Sequence, residues 1–251
     1  MIKKWTLTIP ELSGEEVRRA YVYVPTDWAK HPERRYPVLY MFDGQNVFYD
    51  EDATYGKSWG MKEYLERHKV PLIVAAVECS HLPPCKRLCE YSPYSFSARR
   101  WGNVTGEGKE TMDWFVNVFK PYVDKHFPTL PQREHTFIGG SSMGGLMALY
   151  AVTEYNHVFS RAAALSPALS FSPREVDAMQ KNNPLPKDTN IYMSAGEREL
   201  SPASARRFGK AAQRLLSQGI AADCRIIPDG EHCEACWEKE IPLFMNLLLH
   251  K

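Results

Sequence analysis

Five short, continuous apolar runs, most of them separated from the next by a stretch with helical spacing, constrain this chain more than any other feature. They occupy residues 38–42, 72–77, 136–138, 162–165 and 191–195. Runs of three to six residues with no polar alternation leave no face for water, so they suit strands covered on both sides, as in a mostly parallel sheet. Between them lie helical patterns. The clearest is residues 109–126, where Met112, Phe115, Val116, Phe119 and Val123 recur on one face. Residues 59–68, 143–155, 202–218 and 237–249 read the same way, with Pro202 at a first helical position and Gly219 at a carboxyl-terminal cap. Strand and helix in alternation predict a doubly wound sheet with right-handed crossovers and helices on both faces.

The first 35 residues differ. Residues 5–9 and 17–24 are rich in β-formers, and the turn-like Leu12-Ser13-Gly14-Glu15 between them predicts an antiparallel hairpin. With a late run at 224–227 the expected sheet has about eight strands. At 251 residues, one domain spanning 1–251 is the expectation.

Charge excludes some partners. With 31 basic and 30 acidic residues the net charge is +1, which supplies no field to gather nucleic acid or anionic lipid, so neither partner is expected. The run at 72–77 falls far short of the roughly 20 apolar residues of a membrane span. The start, MIKKWTLTIP, lacks the apolar stretch of a signal peptide, and a cytoplasmic protein is expected. Free thiols are then the ordinary state for the six cysteines. A competing reading takes Cys85, Cys89, Cys233 and Cys236, with His81 and His232 nearby, as a zinc or disulfide site.

Chemistry concentrates at Gly140-Ser141-Ser142-Met143-Gly144. Residues 135–139 before it read as a strand and those after it as a helix. A serine on a sharp strand-to-helix turn needs small residues two positions to either side, and Gly140 and Gly144 stand there, so Ser142 is the candidate nucleophile. A serine hydroxyl needs a base, and in folds with this elbow the order along the chain is serine, acid, histidine. His232 follows the late strand and precedes the last helix, which is the position for the base. His157 ends the helix after Ser142 and reads as a cap, and His250 is terminal. The acid should follow the run 191–195, where Glu197 and Glu199 compete. For an oxyanion, the backbone N–H groups of Met143 and of Gln45, in the loop Asp43-Gly44-Gln45-Asn46, are the candidates.

These segments together resemble the putative esterase family that includes esterase D and the enterochelin esterases. The likeness is carried by YPVLYMFDGQNVF at 36–48, GKSWG at 56–60, RLCEYSP at 87–93, GGSSMGG at 139–145, LSP at 165–167, and Gly230-Glu231-His232 with Trp237. It spans about residues 17 to 248. The resemblance implies an α/β-hydrolase fold and hydrolysis of carboxylic esters through an acyl-enzyme, with no metal and no organic cofactor. In the family the acid stands three residues after a glycine, which here favours Glu199 after Gly196, although many relatives carry Asp there. Family substrates include feruloyl and acetyl esters on polysaccharide, S-formylglutathione, siderophore esters and short synthetic esters, so a small or oligosaccharide ester is expected.

Arg87, Glu90 and Tyr91 are expected on a loop at the pocket, in contact with substrate or with Arg87 and Glu90 in a structural ion pair. Trp59 and Trp101 suit packing in the core or at the rim. Competing functions are acyl transfer or peptide hydrolysis by the same residues, or a non-catalytic zinc-binding relative. Self-association into a homo-oligomer is compatible with the sequence.

Overall fold

The computed structural model describes residues 1–249, so His250 lies outside the described residues. Among the described residues ten strands are present: β1 (Ile2–Ile9), β2 (Gly14–Tyr23), β3 (Val38–Met41), β4 (Ile73–Val77), β5 (Phe96–Ala98), β6 (Gly102–Val104), β7 (Thr136–Ser141), β8 (Arg161–Leu165), β9 (Asn190–Gly196) and β10 (Ala221–Ile227). Eight of them form one sheet in the order β1-β2-β4-β3-β7-β8-β9-β10. Within it β2 alone runs against its neighbours; every pair from β4 to β10 is parallel. This is the α/β-hydrolase architecture, with the expected antiparallel hairpin at its edge.

The helices are α1 (Pro10–Ser13), α2 (Met61–His68), α3 (Lys86–Glu90), α4 (Gly108–Trp114), α5 (Lys120–His126), α6 (Met143–Glu154), α7 (Pro173–Asn182), α8 (Pro202–Ser217), α9 (Glu234–Glu238) and α10 (Ile241–Leu249). They cover both faces of the sheet, which is why the strands lack polar alternation. Val38 and Tyr40 of β3 join one core with Phe115, Phe119, Leu146 and Phe208; Leu39 and Met41 join the other with Leu65, Phe244 and Leu248.

Three local features depart from the sequence expectation. The helix expected over 109–126 is continuous but passes through a π-helical segment, Phe115–Phe119, between α4 and α5. The wider turn lets Trp114 and Phe115 both enter the core. The helix expected over 237–249 breaks into α9 and α10. Pro242, with no N–H, stands in the first turn of α10, and the break leaves Glu240 buried where it accepts a 2.7 Å hydrogen bond from Tyr192. The hairpin of β5 and β6 and helix α7 lie outside every expected element, as does helix α3, which carries Arg87 and Glu90 where a loop was expected.

The carboxyl ends of β3, β7, β9 and β10 share one edge of the sheet. Gln45, Ser142, Glu199 and His232 follow those four ends, the usual place for ligands in a parallel sheet.

Candidate active site

Ser142 joins β7 to α6 with φ 57° and ψ −120°. An L-residue held there stores on the order of 1–3 kcal/mol, so the surroundings must fix it. They do so through the backbone: Ser142 N–H donates to Leu165 O, and Ser142 O accepts from Leu146 and Ala168, each at 3.0 Å. The flanking glycines are demanded by contact. A Cβ on Gly140 would lie 2.8 Å from the Gly144 carbonyl, and one on Gly145 would lie 2.6 Å from Leu165 O.

Two loops deliver the histidine and the acid. A short turn, Glu197–Glu199, follows β9, and the loop after β10 passes so close that a Cβ on Gly196 would sit 2.4 Å from Gly230 O. Arg198 N–H donates to Gly230 O at 3.0 Å, which ties the loops together. This brings Glu199 Oε2 into a hydrogen bond with His232 Nδ1. The other carboxylate oxygen, Oε1, accepts from the Ser166 hydroxyl and the Gly196 N–H. Burial alone would raise the Glu199 pKa, but hydrogen bonds from His232, Ser166 and Gly196 outweigh it and hold the carboxyl below its ordinary value. Glu197 turns outward and accepts the Asp229 N–H at 3.1 Å. Arg198 pairs with Asp229 and Glu231 rather than with Glu197.

Ser166 is a residue the sequence patterns did not single out. It stands just after β8 with a positive φ of 44°, and its oxygen accepts the Trp237 indole N–H at 3.0 Å. The same indole lies edge-on to the His232 ring, with centroids 5.1 Å apart and planes at 80°. Trp237 therefore braces both His232 and, through Ser166, the carboxylate that holds it.

The loop after β3 approaches Ser142 from the other side. Asp43 is left-handed (φ 56°, ψ 54°), and Gly44 rests on β4 so tightly that a Cβ would meet the Val77 carbonyl carbon at 2.7 Å. The turn uses Asn46 N–H to Asp43 O at 2.8 Å and Val47 N–H to Gly44 O at 3.3 Å, and neither bond takes the Gln45 N–H. Met143 is the first residue of α6, where a backbone N–H has no intrahelical acceptor. The Gln45 side chain turns away, toward Thr54 and Cys79.

Arg87 lies beside this loop and chelates the Asp43 carboxylate through Nε and Nη2, both at 2.7 Å. Tyr91 is buried; its hydroxyl accepts the Asp43 N–H at 3.1 Å, and Arg87 stacks 5.2 Å over its ring. Arg87 borders the cleft, whereas Tyr91 supports the loop from behind. Glu90 corrects the sequence expectation on two counts. It is fully buried, out of reach of any substrate, and its ion-pair partner is Arg18 of β2, with Arg18 Nη1 to Glu90 Oε2 at 2.8 Å, rather than Arg87. Trp59 packs in the core against Trp237 and Phe244, while Trp101 lies at the surface beneath Arg100.

Two clefts meet at Ser142 and His232. One, of about 310 Å³, is bordered by Asp43, Gln45, Tyr55, Arg87 and Glu234. The other, of about 400 Å³, is more apolar, with Leu169, Phe171, Leu200 and Phe208. A larger groove of about 630 Å³ opens by Tyr36, Val70 and His135, at the amino ends of β3, β4 and β7 and away from every candidate residue. All six cysteines are free thiols, and among the described residues no group of three or more His, Cys, Asp or Glu side chains could hold a metal ion. No helix among the described residues is long and apolar enough to cross a membrane.

The family model described as "Putative esterase" matches residues 13–242. YbbA of Bacillus subtilis (strain 168) is 20% identical over 185 residues, which cover 72% of this chain and 69% of YbbA. The IroE-like serine hydrolase from Shewanella oneidensis superposes with a TM-score of 0.77 at 19% identity, over 98% of this chain and 81% of that one. The siderophore hydrolase EstA from Aspergillus nidulans gives 0.73 at 18% identity, over 98% and 94%. At these identities the solved structures share the fold, while the match over most of the chain's length goes further: the chain belongs to the putative esterase family of ester hydrolases.

Proposed function

We propose that the protein hydrolyses carboxylic esters with Ser142 as nucleophile, His232 as general base and acid, and Glu199 as the group that orients His232. One observation carries this reading: the Glu199 carboxylate meets His232 Nδ1, and His232 borders both clefts together with a serine held at a strained strand-to-helix turn. With Nδ1 engaged as a donor, the far nitrogen of the imidazole is free to take the Ser142 proton. The Ser142 oxygen then attacks the ester carbonyl, and the charge on its oxygen falls between the N–H groups of Met143 and Gln45. His232 returns the proton to the departing alcohol, leaving an acyl-enzyme, and a water activated by the same histidine releases the acid.

The two clefts allow the two arms of a small or carbohydrate-linked ester to lie on either side of Ser142. Fold neighbours include a ferulic acid esterase, an S-formylglutathione hydrolase and siderophore hydrolases, which supports ester chemistry on this scaffold without choosing a substrate. Six free thiols fit action in a reducing compartment such as the cytoplasm. Turnover of p-nitrophenyl acetate tests the reading: Ser142→Ala is expected to lower kcat by about 10⁴-fold or more, and turnover within about tenfold of the native protein would refute it.

A further inference from the structure

Besides Glu199, two carboxylates border the clefts at Ser142, Asp43 and Glu234. Arg87 chelates Asp43 and neutralises it. Glu234 has no such partner. It lies on the first turn of α9, two residues after His232, with 6% exposure. It accepts one side-chain hydrogen bond, from the Asn46 amide at 3.1 Å, and among the described residues it forms no ion pair with lysine, arginine or histidine. The direction of that bond is fixed, because the Asn46 carbonyl oxygen already accepts the Thr54 N–H at 2.9 Å. Asn46 therefore aims its NH₂ at Glu234, as it would to hold an acceptor in place.

A buried carboxylate that lacks a counter-charge is costly, and proteins usually pair it or have it meet a cation in a ligand. Burial, reinforced by the neighbouring charge of Asp43, pushes the Glu234 carboxyl above its ordinary value, and its own backbone N–H with the more distant charges of His232 and Arg87 offset this only in part. Tyr55 borders the same cleft and is 82% exposed, which offers an aromatic face at the mouth. An aromatic ring beside a carboxylate is the usual provision for a cationic nitrogen.

We infer that this cleft selects esters carrying a cationic nitrogen, with Glu234 as the counter-charge and the Tyr55 ring as a second contact. The inference rests on the esterase reading above and assigns it a substrate class. The nitrogen takes no part in bond breaking; it positions the ester, so its effect falls on KM more than on kcat.

The test compares isosteric pairs on the intact protein. On the alcohol side the pair is 2-(trimethylammonio)ethyl acetate and 3,3-dimethylbutyl acetate; on the acyl side it is the ethyl esters of 4-(trimethylammonio)butanoate and of 5,5-dimethylhexanoate, in which the nitrogen is too far from the carbonyl to activate it. In at least one pair kcat/KM for the cationic ester is expected to exceed that of the neutral one by about tenfold, mostly through KM. Glu234→Gln is expected to bring that ratio close to one. Equal or better hydrolysis of the neutral member in both pairs would overturn the inference while leaving the esterase reading intact, and so would a preference that survives Glu234→Gln. Hydrolysis of none of these esters nor of p-nitrophenyl acetate would overturn the esterase reading and this inference with it.

Discussion

The Ser166 hydroxyl donates to Glu199 Oε1 while its oxygen accepts the Trp237 indole N–H, so the orientation of the acid is set from a strand that carries no proposed catalytic group. Ser166→Ala removes one of the donors that hold Glu199 low. The Glu199 carboxyl should then rise toward its ordinary value, and with one oxygen less firmly held it should orient His232 less well, so kcat should fall about tenfold. The Trp237 N–H, left buried without an acceptor, should also cost about 1–3 kcal/mol of stability. A purely structural role would lower Tm without lowering kcat at temperatures well below the melt.

Glu199 and Glu197 can be separated by the same substitution. Glu199→Gln places an amide against His232 Nδ1 and favours the wrong imidazole tautomer, so kcat should drop by about 10³ to 10⁴. Glu197→Gln touches only an exposed bond to the Asp229 N–H and should change kcat by less than about twofold. Equal effects of the two variants in steady-state kinetics would contradict the placement of Glu199.

Stability should depend on pH through the same carboxylate. Glu199 has a folded-state pKa below its ordinary value of 4.5, so its contribution is fully present above that value and is lost as pH falls through the folded-state value. Thermal melts of the native protein and of Glu199→Gln, followed from about pH 6 to about pH 3, should show a Tm gap that closes at the acid end. A gap that stays constant below the ordinary value would mean that the hydrogen bonds to Glu199 do not favour its ionised form.

Glu90 is expected to matter for folding rather than for substrate. Its pair with Arg18 ties the end of α3 to β2, and α3 carries Arg87 and leads into Tyr91, the two residues that brace Asp43. Glu90→Ala leaves the buried Arg18 guanidinium with only the Glu16 carboxylate at 3.3 Å and the Ser13 hydroxyl as partners, and should cost up to about 3–5 kcal/mol. Replacing both partners, as Arg18→Met with Glu90→Leu, should restore most of that loss. Denaturant melts of the three variants check this, and a double variant no more stable than Glu90→Ala would contradict it.

What the sequence could convey follows from how local each feature is. The elbow was legible because sterics within five residues require Gly140 and Gly144 around Ser142, and the sheet was legible because strands covered on both faces cannot alternate in polarity. The choice between Glu199 and Glu197 was not open to local reasoning, since it depends on the approach of Gly196 to Gly230 in a different loop. Glu90 misled for a related reason: a charged residue near expected pocket residues reads as a contact, and only the pairing of β2 with β4 brings Arg18 to it. Ser166 and Glu234 gave weaker signals still. A buried tryptophan such as Trp237 needs an acceptor for its N–H, but the sequence does not say which. Pro242 and Ser172-Pro173 stand where α10 and α7 begin, but the expected helix over 237–249 ran through the first and no element was expected at the second.

The central claim is that Ser142 is the nucleophile, and covalent trapping tests it most directly. After reaction with a fluorophosphonate, intact-mass and peptide analysis should show one adduct per chain, on Ser142, and no adduct on Ser142→Ala. An adduct that persists on Ser142→Ala, or one that maps to Ser141 or Ser166 in the native protein, would contradict the account.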